Sequence, residues 1–308
     1  MSQRSAHLPV VVSDEVATAL AEKRPVVALE TTIISHGLPF PTNREVADLC
    51  EAAVRASDSV PATIGIIDGV IHVGLNSSQI DLMADPLSSV TKASTRDLGA
   101  VVARGLHGAT TVAGTIAIAR HVGIDVMATG GLGGVHRGAS ESFDESHDLV
   151  ALSRTSIVVV ASGCKSILDV GATLERLDTL GVSIVGYHTD NFPGFYRHST
   201  EFPIDWRSDT AADIARIFAG HRVISGTAVV VANPVPRDRQ LDEALHDAAL
   251  AEGLRRVAAG KVTGKAVTPV LLSAFAEFTS GVSVTVNTDL VVNNSTVAGQ
   301  IAAELTSR

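Results

Sequence analysis

Cysteine is nearly missing from this 308-residue chain: only Cys50 and Cys164 occur, far apart and in no Cys-x-x-Cys or His–Cys spacing. That pattern argues against a disulfide framework and against a structural zinc site. Aromatic residues make up 4%, so a core has to be built from Val, Ile, Leu and Ala. Long hydrophobic runs are missing too. The longest, such as 157–161 and 228–232, fall far short of the ~20 residues that span a bilayer, and no membrane partner is expected. The apolar stretch 8–12 is too short for the core of a secretion signal, which makes the cytoplasm the expected location. Basic charge is also in short supply, 24 Lys and Arg against 33 Asp and Glu for a net charge of −9. Such a chain has no general attraction for a nucleic-acid polymer. Lysine is the rarest of the charged types: Lys23, Lys92, Lys165, Lys261 and Lys265 stand against 19 arginines.

What remains is ordinary globular material, 45% hydrophobic and 19% charged. Short β-branched runs at 26–34, 63–67, 70–73, 126–129, 157–161, 184–187 and 228–232 read as strands. Most are continuously apolar, as strands covered on both faces are. Asp68-Gly69 between two of them is a hairpin signal, so one antiparallel pair is expected. Amphipathic stretches at 43–56, 166–180, 241–259 and 297–305 read as helices. The alternation predicts an α/β fold, a three-layer α/β/α sandwich with a largely parallel, mixed central sheet, and 1–308 as a single domain. The Phe- and Pro-rich stretch 190–207 is the best candidate for a long excursion.

Four segments carry chemistry. The glycine loop 129–138 follows a predicted strand and ends in His136 and Arg137. Its backbone suits either an anion-binding nest or a tight turn between packed elements. It is not a dinucleotide fingerprint, because His136 stands where a glycine is needed. The acidic run 141–148 offers oxygen ligands and a histidine, a set suited to magnesium or manganese; equally, Ser146 can cap a helix beginning near His147, with the acids as a solvated face. Lys165 ends an apolar strand just before an expected helix N-terminus, where α/β sheets place ligands; burial and the positive helix end disfavour the ammonium, and a neutral lysine amine there is a nucleophile toward a carbonyl carbon. A lysine snorkelling into water from a strand end is the alternative. Glu30 interrupts an apolar strand; if buried, its carboxyl becomes protonated at neutral pH and can act as a general acid, and if it sits at the strand end it reaches water. Two weaker signals are Lys92, just before a probable helix start at Ser94, and Asn287 with Asn294, seven residues apart on one helical face. Asn287 as a helix cap is the alternative.

Together these residues resemble the pseudouridine-5′-phosphate glycosidase family, also called the indigoidine synthase A-like family. The matching segments are ALETTIISHGLPFP (28–41), KASTRDL (92–98), HGATTVAGTI (107–116), ATGGLGGVHRG (128–138), CKSILD (164–169), DNFPGFY (190–196), NPVP (233–236) and GKAVTPVLL (264–272). The chain departs from the family at Asn191, where Glu is more usual, and at His147 and Cys164, where Ala is common. The resemblance implies an enzyme, a hydrolase or lyase, that splits the C–C glycosidic bond of pseudouridine 5′-phosphate with water to uracil and ribose 5-phosphate, reversibly. It further implies an α/β/α subunit in a homotrimer and a divalent metal, Mn2+ or another such as Mg2+. Carried over by position, Lys165 falls on the nucleophile that forms an imine with ring-opened ribose phosphate, Glu30 on the proton donor and Asp144 on the metal ligand. Lys92, Val112, Ser146, His147 and Asp148 fall on substrate contacts, and His136 and Asn287 look like site residues.

Overall fold

The computed structural model describes residues 8–262, 264 and 267–307. Its strands are β1 (Val10–Val12), β2 (Val26–Leu29), β3 (Val60–Ile67), β4 (Val70–Val73), β5 (Val90–Ala93), β6 (His107–Thr110), β7 (Val126–Ala128), β8 (Val135–His136), β9 (Val158–Ala161), β10 (Leu168–Asp169), β11 (Ser183–Tyr187), β12 (Trp206–Ser208) and β13 (Val229–Ala232). The main sheet runs β3-β2-β7-β9-β13-β11-β12 and is parallel throughout. β9 and β13 are buried along their whole length, as expected where helices cover both faces. One face carries the helix Val282–Thr306, which also packs on Thr42–Arg55 and Ala211–Ile224; the helix Val112–Val122 lies against β2, β3 and β7 and packs on His147–Leu152. The predicted sandwich and its mixed, largely parallel sheet are therefore what forms.

β3 is where the sheet changes character. Val60–Thr63 pairs in parallel with β2, whereas Ile64–Ile67 pairs antiparallel with β4 and β6. The β3–β4 turn at Asp68-Gly69 has positive φ at both positions, 47° and 76°, the geometry of the expected hairpin.

Three expected boundaries shift, each for a visible reason. The strand predicted over 26–34 ends at Leu29, because β3 turns to other partners beyond Thr63. There Thr31 donates its hydroxyl to Ile64 O (2.8 Å) and Thr32 donates to Ala109 O (3.2 Å); Ile33–Gly37 then forms a wide π-helical turn. The helix predicted over 166–180 begins at Val170, capped by Asp169, which accepts from Ala172 N. Before it, Leu168 pairs with His136 as β10 against β8. The helix predicted over 297–305 is the last third of Val282–Thr306, so Asn287 lies inside a helix and caps nothing. The Phe- and Pro-rich stretch is mostly irregular chain linking β11 to the edge strand β12. Among the described residues no single helix is long and apolar enough to cross a membrane.

Candidate active site

Register aligns the carboxyl ends of the parallel strands. Leu29 pairs with Ala128, Ala128 with Val160, and Ala161 with Ala232. The residues that follow, Glu30, Thr129, Ser162 and Asn233, therefore come out side by side, where open α/β sheets bind ligands. Asn294 ties three of these ends together from the covering helix. Its amide donates to Thr129 O (2.8 Å) and its carbonyl oxygen accepts from Asn233 Nδ2 (2.8 Å) and Ser162 Oγ (3.3 Å).

A cavity of about 410 Å³ opens over this edge. Its walls bring together Glu30, Lys92, Val112, His136, Asp144, Ser146, His147, Asp148 and Lys165, nine residues singled out from the sequence. The tenth, Asn287, lines a small adjoining chamber that shares Glu30, Lys92 and Lys165 with the main cavity. Lys265 and Ala266, part of the last matching segment, lie outside the described residues.

Glu30 is 8% exposed and accepts a hydrogen bond from Thr129 Oγ1. Burial raises its pKa above the ordinary carboxylate value; the charge of Lys165 and the Thr129 hydrogen bond oppose that rise, and Asp148 adds to it. Desolvation is the largest of these influences, so the carboxyl holds a proton to higher pH than a free glutamate. His136 moves the other way. Burial lowers its pKa, Lys165 and Lys92 push in the same direction, and Asp144, with its Oδ2 4.0 Å from Nδ1, resists. Lys165 is held by its backbone, its N–H donating to Leu132 O (3.1 Å). It does not sit on a helix N-terminus, since the next helix starts at Val170.

The glycine loop turns out to be a packing device more than an anion nest. Leu132 N–H donates to Gly163 O (2.9 Å), Gly133 N–H to Asp148 Oδ2 (3.0 Å), Val135 N–H to Thr173 Oγ1 (2.9 Å) and His136 N–H to Asp144 O (3.0 Å). A Cβ at Gly131 would lie 2.6 Å from Phe195, and one at Gly133 would be 2.7 Å from Asp148 Oδ2. Arg137 does not line the cavity. Asp148 is likewise committed: 5% exposed, it also accepts from Ala113 N (3.0 Å) in the first turn of Val112–Val122. A carboxylate there is stabilised by the helix dipole, so Asp148 clamps the loop to the helix. Gly114 N–H is taken by Thr111, and Val112, at the start of the same helix, lines the cavity. Ser146 does cap His147–Leu152, accepting from Asp148 N (3.2 Å).

Asp144 offers the cavity one carboxylate, with Glu145 beside it. Among the described residues no three His, Cys, Asp or Glu side chains gather as a cage. A single carboxylate beside open space suits magnesium or manganese, which retain water ligands, and does not suit a closed zinc site.

A family model described as indigoidine synthase A like protein matches residues 15–304. The chain belongs to that family. A protein of Salinispora tropica named pseudouridine-5′-phosphate glycosidase is 52% identical over 297 residues, 96% of this chain and 91% of that one. One of the same name from Escherichia coli is 47% identical over 95% of this chain and 94% of its own length. Among solved structures, a prealnumycin C-glycosynthase in complex with ribulose 5-phosphate is similar at 40% identity and a TM-score of 0.89, covering 98% of both chains.

Sequence reasoning passed over several wall residues of this family member. Thr129 sits at a strand end next to Glu30; it opens the glycine loop 129–138, but no sequence signal assigned its hydroxyl a role. Ser94 and Arg96 line the cavity beside Lys92, and their place in the same short segment could have marked them. His36 and Phe195 in the smaller chamber lie in the matching segments 28–41 and 190–196, but only the folded chain brings them together.

Proposed function

We propose that the chain is a pseudouridine-5′-phosphate glycosidase, cleaving the C–C bond between ribose and uracil with water. The observation that carries this reading is that Lys165 and a buried Glu30, whose pKa burial raises, line one cavity in a chain about half identical to proteins of that name.

The chemistry explains why these groups are needed. Carbon 5 of uracil leaves only after accepting a proton, unlike the heteroatom leaving group of an ordinary glycosidase. Glu30 gives its proton to O4′ as electrons of the uracil ring break the C1′–O4′ bond and leave C1′ electrophilic; neutral Lys165 Nζ then bonds to C1′ and passes a proton back to Glu30. Glu30 delivers a proton to C5; the C1′–C5 bond then breaks as the nitrogen lone pair forms an iminium. Water adds to that carbon and releases the lysine and ribose 5-phosphate, returning a proton to Glu30. Lys92, Ser94, Arg96 and Val112 line the cavity together with Ser146 and His147, and these polar and basic groups receive the phosphate. His136, kept neutral by burial, faces the sugar. Asp144 would hold the divalent ion, manganese or magnesium, which supplies positive charge close to the anionic substrate. The active assembly is a homotrimer.

Incubation with ribose 5-phosphate and borohydride tests the lysine step. The expected outcome is a ribose phosphate adduct on the Lys165 peptide, together with uracil release from pseudouridine 5′-phosphate that Lys165→Ala abolishes. An active preparation that never traps an adduct overturns the imine. A preparation that aldol-cleaves another phosphosugar and releases no uracil overturns the substrate.

A further inference from the structure

The chamber beside Lys165 contains two polar atoms that the proposed chemistry leaves unused. His36 Nδ1 and Asn287 Oδ1 are both buried with no hydrogen-bond partner among the described residues, and both residues line this chamber. A buried polar atom without a partner costs free energy, so two on the wall of one cavity mark a place for a ligand.

The chemistry of the two atoms is defined. His36 Nε2 lies 3.1 Å from Val90 O. A carbonyl can only accept, so Nε2 carries the proton, and a neutral ring then presents Nδ1 as a lone pair. Burial lowers the pKa of the ring and the charge of Lys92 acts in the same sense, while the Val90 contact opposes them. Lys92 and Glu30 are the charged neighbours that line the chamber with Lys165. Asn287 Oδ1, from the covering helix, is a second acceptor. The chamber therefore asks for donors.

Its other walls say which donors. Ile33, Phe195, Pro269 and Leu272 are apolar and suit the flat faces of a heterocycle better than a hydroxyl-rich sugar. Lys165 lines both spaces. A ligand with C1′ at Lys165 thus places its phosphosugar among the cations of the main cavity and its base in the chamber. The only donors on uracil are its two ring N–H groups. Both are free in a C-glycoside, whereas an N-glycoside has lost one to the glycosidic bond.

We propose that His36 is a specificity-determining residue that accepts a hydrogen bond from a ring N–H of the base, Asn287 Oδ1 taking the other. The inference rests on the glycosidase reading, but its test separates the two. Wild-type enzyme is assayed for release of base from pseudouridine 5′-phosphate and from its N1-methyl and N3-methyl forms, and kcat/KM ratios are compared. Sites built to bond an N–H reject ligands lacking it strongly, so wild type should disfavour both methylated forms by about a hundredfold or more. His36→Leu should lose activity on the parent and collapse the penalty for one methylated form only; Asn287→Leu should collapse the other. His36→Gln, which can donate to Val90 and still accept, should restore most of the discrimination. Equal loss on all three substrates in His36→Leu, with ratios unchanged, makes the ring a brace for β5 and overturns the proposal. So does a wild type indifferent to methylation. Absence of uracil release from the parent overturns the glycosidase reading instead.

Discussion

At Glu30 two neighbours pull on one proton. Burial favours the neutral acid, while Lys165 favours the carboxylate, and burial is the larger. The folded chain therefore binds this proton more tightly than the unfolded chain, whose carboxyl has the ordinary value near 4.5. Between that value and the raised one the folded state holds a proton that the unfolded state has lost, so stability falls as pH rises through the window. Glu30→Gln removes the linkage and keeps the shape. Its melting temperature should exceed that of wild type at pH 8 and converge toward it near pH 4; a wild type that melts higher at pH 8 means that the carboxylate is stabilised, not strained. The same substitution removes the proton donor, and uracil release should drop by about 10²–10⁴-fold. In wild type the alkaline limb of the rate profile should fall where Glu30 loses its proton, above the usual carboxylate range.

Among the elements, the helix Val282–Thr306 does most to hold the site in place. Asn294 reaches from it into the seam between β7, β9 and β13, and Thr129, whose hydroxyl meets Glu30, hangs from that contact. Asn294→Leu leaves Thr129 O and the Asn233 amide without partners in a dry place. The expected cost is roughly 2–4 kcal/mol, read as a lower midpoint in urea. A rise in the pH of the alkaline limb would not follow from lost stability alone, so a shift there in either direction shows that the seam sets the environment of Glu30. An unchanged midpoint means that water replaces the amide.

These elements also show what was legible before folding. Strand runs such as Val229–Ala232 announced themselves because a strand buried on both faces is apolar throughout. The helix around Asn287 did not, since buried Ser283, Asn287, Asn294 and Ser295 interrupt its apolar stripe; Asn294 bonds to the seam, and Thr288, Ser295 and Thr296 turn their hydroxyls back onto their own helix. Glu30, Lys92 and Lys165 stood out by breaking an apolar pattern or by rarity. The glycine loop admitted two readings because glycine permits close approach to any partner: Phe195, Ser146 and Asp148 approach it here, while Gly130, Gly131 and Gly133 also line the cavity and its chamber. Thr129 and His36 act through neighbours 99 and 54 positions distant, a relation that only the folded chain creates.

For the whole molecule, a net charge of −9 opposes an anionic substrate at long range, and salt screens that repulsion over a Debye length of about 8–10 Å. Capture then falls to the cations that line the cavity, Lys92, Arg96 and Lys165. Apolar surface raises a different question. Val223 and Ile224 are 83% and 93% exposed at the end of one helix, Leu87 is 91% exposed, and Phe143 is 85% exposed at the cavity mouth. Single exposed apolar residues are common in monomers, but adjacent ones and one at an active-site rim are what subunit contacts cover. With the homotrimer proposed, sedimentation equilibrium at micromolar concentration should give three times the 31.9 kDa chain mass. Ile224→Asp and Phe143→Asp, tested singly, should separate two roles. If Phe143 lies between subunits, its variant loses both assembly and uracil release; if it only borders the cavity, mass stays threefold and KM alone rises. A wild type that sediments as one chain with full activity removes the trimer from the proposal and leaves the cavity complete within a single subunit.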